Sequence, residues 1–201
     1  TTVYNRTESK AHDWVSQYGG SMASTPAAAA DGSDIVFICV GDDEDVRSVV
    51  YGDTGVLAGM NPRSVLVDHT TASATVAKEI AEAARKQDVE FIDAPVSGGQ
   101  AGAENGQLTV MCGGDNDVFA NVEPVISSYA KAVNLIGPVG SGQTTKMVNQ
   151  ICIAGLVQGL SEGLDFGRRA GLDMEKVLAA ISQGASGSWQ MSNRSETMLK
   201  H

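Results

Sequence analysis

The sequence predicts an α/β protein with a doubly wound, mostly parallel sheet, followed by an all-α domain that a long helix enters. Three observations carry this. Between residues 34 and 138, short apolar runs rich in β-branched residues alternate with segments of helical period, the pattern of βαβ units. Beyond Gly140 no strand-like run recurs, and everything reads as helix. The stretch from Ser141 to the glycines past residue 165 reads as one helix of about 30 residues, against the ~11 to 12 usual in globular proteins.

In chain order, TVYN (2–5) is a short strand and ESKAHDWVSQYGG a helix closed by a glycine pair. DIVFICVG (34–41) is an unbroken apolar run suited to a strand covered on both faces. DDEDVRSVVYG is a short helix with acids in its first turn, where the helix dipole favours them. SVLVDHT (64–70) and TASATVAKEIAEAARKQ repeat the strand and the helix. VEFIDAPV (89–96) and QLTVMCGG (107–114) are strands, DNDVFANVEPVISSYA is a helix, and AVNLIGP (132–138) closes the series. The change of pattern between Pro138 and Gly142 divides the chain into domains at 1–139 and 140–201.

Composition removes whole classes of function. With 201 residues, 42% hydrophobic and 19% charged, the chain is ordinary globular material with room for one large or two small domains. A net charge of −10 and a pI near 4.6 repel nucleic acid and anionic membrane surfaces. Cys39, Cys112 and Cys152 each sit singly in an apolar run without CxxC spacing, so they read as small buried hydrophobes in a reducing, cytoplasmic setting. No stretch approaches the ~20 apolar residues of a membrane helix, and TTVYNRTESK has no signal-peptide core, so a soluble, unprocessed protein is expected. His12, His69 and His201 stand apart, and no metal site is expected.

Three places carry chemistry. On the long helix, the apolar stripe of Leu164, Leu160, Val157 and Ile153 continues toward the N-terminus onto Asn149 or Gln150 and then Lys146. Two readings fit: these polar residues face solvent, or they form a cluster at the domain junction with a lysine whose pKa is lowered by desolvation and the helix N-terminus, able to exchange a proton near neutral pH. Near the start, Asn5-Arg6-Thr7 follows the chain's first strand, and in a dinucleotide-binding βαβ unit the residue at the end of the second strand reads the adenine ribose, the slot these residues would fill. An acid there prefers NAD, whereas a guanidinium beside a hydroxyl and an amide suits the 2′-phosphate of NADP; the same arginine also reads as a solvated surface residue. DAPVSGGQAGAENGQLTVMCGG (93–114) could cradle a phosphate, turn a hairpin or hold a small anion. With no helix expected directly after Ser97-Gly98-Gly99 and Asn105-Gly106 supplying a turn, the segment reads as a link between two strands.

VYNRT, DAPVSGGQAGAENGQLTVMCGGD, GSGQTTKMVNQ, AGLD and GASGSW, in that order, resemble the β-hydroxyacid dehydrogenase family, which includes 3-hydroxyisobutyrate dehydrogenases and tartronate and succinic semialdehyde reductases. The resemblance covers essentially the whole chain, and its two middle motifs are specific. It implies a Rossmann-like domain binding NADP, with NAD as the alternative, and a helical substrate and oligomerisation domain. It places Lys146 on the catalytic lysine, the general acid in reduction and base in oxidation, and Asn149 on the residue that orients the substrate. Ser97, Gly98 and Gly99 fall on the loop that holds the substrate carboxylate, Thr71 beside the nicotinamide, and Val40 and Gly41 along the cofactor. Gln150 stands where many members have a second asparagine, which leaves the substrate contact there open. The reaction implied interconverts a small β-hydroxyacid and its semialdehyde. Members begin with a strand and a glycine-rich pyrophosphate loop and continue through further helices with a lysine near the cofactor, so the resemblance implies that these residues are part of a longer protein. Two rivals are a catalytically inactive cofactor-binding or interaction module and an imine reductase; Lys146 weighs against both. The apolar residues Leu156, Leu160 and Leu164 suggest a homo-oligomer, a dimer at least.

Overall fold

A computed structural model of the chain describes residues 1–200. The chain forms two compact units, Thr1–Lys146 and Met147–His201. In the first, β1 (Thr2–Val3) and β2 (Ser21–Met22) pair in parallel as a two-stranded sheet, connected by α1 (Glu8–Tyr18). α2 (Pro26–Ala30) follows, with proline at its start and the Thr25 hydroxyl accepting from the Ala28 N–H. A separate six-stranded sheet contains β3 (Ile35–Ile38), β4 (Val65–Asp68) and β5 (Glu90–Asp93), all parallel. β7 (Leu108–Gly113) joins β5 and β6 (Val96–Ser97) antiparallel and β8 (Ala130–Gly137) in parallel.

Side chains alternate across this sheet and divide its core in two. Leu66, Ile38 and Phe91 pack with residues of α3 (Asp43–Val50), α4 (Val56–Gly59) and α5 (Ala74–Arg85). Val65, Val67 and Ile92 pack on the other face with Val118, Val122 and Ile126 of α7 (Asn116–Ile126). β4 is buried on both faces, which is why its sequence is a continuous apolar run up to Asp68.

Several expectations are corrected. The run 34–41 is not covered on both faces: β3 pairs only with β4 within its sheet, Phe37 is 37% exposed and Cys39 is exposed. Cys152 is exposed too, leaving Cys112 as the one buried thiol of the three. A helix does begin directly after the serine-glycine pair: α6 (Gly99–Glu104). Asn105-Gly106 is therefore not a hairpin turn but the end of that helix. Gly106, at φ 63°, donates to the Ala103 carbonyl, and Gln107 donates to that of Gly102, the paired bonds of a Schellman cap. Six residues with two glycines lack the propensity and length to announce a helix. β2, α2 and α4 are likewise too short for their periodicity to be read.

α8 (Ser141–Arg169) runs for 29 residues, so the long helix read from the sequence exists as such. The second unit also contains α9 (Met174–Ile181), whose first turn is capped by Asp173, and α10 (Trp189–Lys200). Among the described residues, Leu164 and Met191 are its buried apolar side chains, while Ile151 and Phe166 of α8 are each 73% exposed. Among the described residues, no helix is long and apolar enough to cross a membrane.

Candidate active site

The parallel strands β3, β4 and β5 end level, with Ile38 opposite Asp68 and Asp68 opposite Asp93. In open α/β sheets, ligands bind outside these carboxyl ends. Both aspartates are fully buried, and each organises a loop. Asp68 Oδ1 accepts from the Thr70 N–H at 2.8 Å, while its Oδ2 has no partner. Burial pushes the Asp68 pKa up to about 6; hydrogen bonds from Thr70 oppose the rise and the charges of Asp93 and Asp43 add to it. The Thr70 hydroxyl accepts from the Val40 N–H at 3.0 Å, which ties the loop after β3 to the loop after β4. Asp43 strengthens that tie by accepting from the Ser73 N–H and hydroxyl at 2.7 and 2.5 Å, and these bonds lower its pKa.

Asp93 performs a different task at the start of α8. Its Oδ1 accepts from the Gly140 N–H at 2.7 Å and its Oδ2 from the Gln143 N–H at 2.9 Å. A helix leaves its first amides unpaired and carries a partial positive charge there, so a carboxylate is favoured. The approach is close enough to require glycine. A Cβ on Gly142 would lie 2.7 Å from the Asp93 carbonyl oxygen and 2.8 Å from its Oδ2, and one on Gly113 would lie 2.5 Å from its Oδ1. Burial raises the Asp93 pKa, and the helix amides restrain the rise. Gln143, itself fully buried, extends this contact: its Oε1 accepts from the Ala72 N–H at 3.0 Å and its Nε2 donates to the Thr70 carbonyl at 2.7 Å. Its side chain thus grips the backbone on both sides of Thr71, whose own side chain is exposed.

One turn after Gln143 comes Lys146, 8% exposed and without a hydrogen-bond or ion-pair partner among the described residues. Burial lowers its pKa, because an unpaired ammonium out of water favours losing its proton. In the second unit, Asn149 is half-buried and donates from Nδ2 to Gln150 Oε1 at 3.0 Å, while Gln150 is exposed. The stripe of the long helix therefore continues onto Asn149 rather than Gln150.

The remaining predicted residues fall into two groups. Asn5, Arg6 and Thr7 are exposed, with Asn5 Oδ1 accepting from the Thr7 N–H at 2.8 Å. Arg6 reaches Asp45 of α3 at 3.4 Å, which brings this loop beside the Val40-Gly41 turn. Ser97 lies in β6 opposite Thr109, with Gly98 at φ 139° and Gly99 at φ 62° after it. No hydrogen bond joins Ser97, Gly98 or Gly99 to Lys146 among the described residues.

Sequence reasoning missed Asp68, Thr70, Asp93 and Gln143. A signal existed: VLVD and EFID both end an apolar run on an aspartate, and a buried acid needs partners. His69 is also more than an isolated imidazole. Its Nδ1 lies 2.6 Å from the Ala94 carbonyl and its Nε2 2.7 Å from the Tyr129 hydroxyl, and burial lowers its pKa. The neutral tautomer with its proton on Nδ1 satisfies both bonds, donating to the carbonyl and accepting from the tyrosine. His201 lies outside the described residues.

The sheet, the loops at its carboxyl edge and the helix they anchor are those of a Rossmann-like α/β fold. Residues 1–137 match the family described as the NAD binding domain of 6-phosphogluconate dehydrogenase, and residues 140–201 that described as NAD-binding of NADP-dependent 3-hydroxyisobutyrate dehydrogenase. An uncharacterized oxidoreductase of Shewanella frigidimarina is 62% identical over 98% of this chain and 68% of its own length. A probable 3-hydroxyisobutyrate dehydrogenase-like protein of Arabidopsis thaliana, mitochondrial by name, is 44% identical over 93% of this chain and 62% of its own. The crystal structure of 3-hydroxyisobutyrate dehydrogenase from Salmonella typhimurium superposes with a TM-score of 0.86 at 28% identity, covering all of this chain and 70% of that one. The chain belongs to the β-hydroxyacid dehydrogenase family.

Proposed function

We propose that the protein is an NADP(H)-dependent oxidoreductase that interconverts a small β-hydroxyacid and its semialdehyde, with Lys146 as the proton-exchanging group. The observation that carries this reading is Lys146 itself: a nearly buried, unpartnered lysine with a lowered pKa, on a helix whose first turn is clamped by Asp93 and Gln143. An ammonium so placed donates its proton to the oxygen of a carbonyl being reduced, and the neutral amine takes it back in the reverse direction. The Ser97 hydroxyl and the amides of Gly98 and Gly99 bind the substrate carboxylate without adding bulk, and Asn149 orients the substrate, with Gln150 beside it.

The residues present fit a dinucleotide. Gly41 presents bare backbone at the end of β3, Thr71 is exposed after β4, and the Arg6 guanidinium, 85% exposed, is held by one long ion pair. Arg6 with Asn5 and Thr7 suits a 2′-phosphate, which supports NADP over NAD, and the description of the family matched by 140–201 agrees. When bound, the nicotinamide supplies or accepts the two electrons of the redox step. In this reading, residues 1–139 hold the cofactor and 140–201 supply substrate contacts and the oligomer interface. The exposed apolar residues Ile151, Leu156 and Phe166 support a dimer or tetramer, and the free thiols fit a reducing compartment such as the cytoplasm.

The test is NADPH oxidation against C2 to C4 semialdehydes bearing a carboxylate, with Lys146→Ala alongside. The wild type turns over at least one of them, and the variant loses roughly 100-fold or more in kcat while binding NADPH as before. Absence of activity on the whole panel sinks the reductase reading, and near-normal turnover by the variant sinks the role of Lys146.

A further inference from the structure

We infer that Gln143 is a positioning residue that fixes the spacing between the 70–72 loop and the helix turn bearing Lys146. The inference rests on the reductase reading for its functional consequence, but its geometry stands independently.

The backbone on either side of Thr71 offers one donor, the Ala72 N–H, and one acceptor, the Thr70 carbonyl. Gln143 meets both with a single planar amide, at 3.0 and 2.7 Å. The orientation of that amide is settled by its partners, since only oxygen accepts from the N–H and only the NH2 group donates to the carbonyl. Among the described residues, these are the two hydrogen bonds between the 70–72 segment and α8. The Gln143 backbone N–H is held in turn by Asp93 at 2.9 Å, so one residue joins the end of β5, the loop after β4 and the first turn of α8. Full burial leaves its side chain no alternative partner in water.

Lys146 is three residues further along the same helix, on the next turn. It has no side-chain bond of its own to set its place, so its position is inherited from the backbone of that first turn. Two candidate groups, the exposed Thr71 and the nearly buried Lys146, thus have their separation fixed by a residue that need touch neither cofactor nor substrate. Proton transfer depends steeply on such spacing: a displacement of about 1 Å can cost on the order of 100-fold.

Two variants test this. Gln143→Met keeps the length and apolar bulk but removes both bonds. Gln143→Glu is isosteric: when protonated it donates to the Thr70 carbonyl and accepts from the Ala72 N–H as glutamine does, and when ionised it loses the donor and puts a buried charge on the residue whose backbone N–H Asp93 already accepts. Three quantities are read on the full protein: kcat and KM for semialdehyde reduction, NADPH affinity by fluorescence without turnover, and the NMR-monitored titration of Lys146. For Gln143→Met, kcat falls roughly 10- to 100-fold, NADPH affinity changes less than about threefold, and the lysine titration moves up toward the ordinary lysine value. For Gln143→Glu, the loss in kcat at pH 8 shrinks toward the wild type as pH falls to 6, whereas the deficit of Gln143→Met relative to wild type stays flat.

If Gln143→Met fails to fold, the pH recovery of Gln143→Glu decides. Unchanged kcat and lysine titration in a folded Gln143→Met protein overturn the inference, as does a Gln143→Glu deficit that does not vary with pH. If the wild type has no activity but the Lys146 titration still shifts in the variants, the reductase reading falls and the positioning role stands.

Discussion

The unpartnered Oδ2 of Asp68 makes stability depend on pH in a calculable way. Folding raises the pKa of this carboxyl from about 3.8 to about 6, chiefly by burial. The folded state therefore binds the proton more tightly than the unfolded chain, and the carboxyl destabilises the fold only where it must ionise. Below pH 4 there is almost no penalty. It grows as pH rises between the two pKa values and levels off above about 6, at ~3 kcal/mol for a shift of about 2 units. Asp68→Asn removes the ionisation while keeping an oxygen to accept from the Thr70 N–H at 2.8 Å in the native protein. Its new NH2 group enters the unpartnered position, at a cost of about 1 to 3 kcal/mol that does not vary with pH. The informative quantity is thus a difference between two pH values. About half the penalty is already present at pH 5, so between pH 5 and pH 8 the variant gains ~1.4 kcal/mol on the wild type. Urea unfolding of both proteins at the two pH values measures this. A stability difference that stays constant within about 0.5 kcal/mol would refute the argument.

Three further variants test other parts of the structure. Gly142→Ala places a Cβ 2.7 Å from the Asp93 carbonyl oxygen and should destabilise the first unit by about 1 to 3 kcal/mol, whereas Gly155→Ala on the open side of α8 meets nothing and should stabilise by about 0.5 to 1 kcal/mol; urea midpoints read both. Arg6→Ala should weaken NADP binding about 10-fold or more and leave NAD binding within about twofold, measured by fluorescence titration with each cofactor. An equal loss for both cofactors would remove Arg6 from the reading of the 2′-phosphate.

Much of the fold is legible in the sequence. Val65, Leu66 and Val67 announce a strand, and the structure buries it on both faces, each against a different set of helices. The 29-residue helix follows from the loss of strand-like runs after Gly140 and an apolar stripe at spacings of three and four. Lys146 stood out as a cation continuing an apolar stripe, which is half-buried at Ile153, Val157 and Leu160, and the lysine is 8% exposed. Cys39 and Cys152 misled, because an apolar neighbourhood in sequence does not say which face of an edge strand or helix is covered. α6 was hidden because glycine at its start and in its middle suggested a loop, and six residues carry too little periodicity to argue otherwise.

The amino-acid sequence by itself determined the alternation of strands and helices, the acidic surface, the long helix and the family motifs. These are set by local period, propensity and composition, which every segment carries with it. Only the tertiary structure decided that Asp68 and Asp93 lie side by side at level strand ends, and that Gln143 reaches across to the backbone around Thr71. Those relations join residues about 25 to 75 positions apart, and no local rule encodes them. They arise when parallel pairing fixes the register of β4 and β5 and close packing at Gly142 brings the first turn of α8 against the carboxyl edge of the sheet.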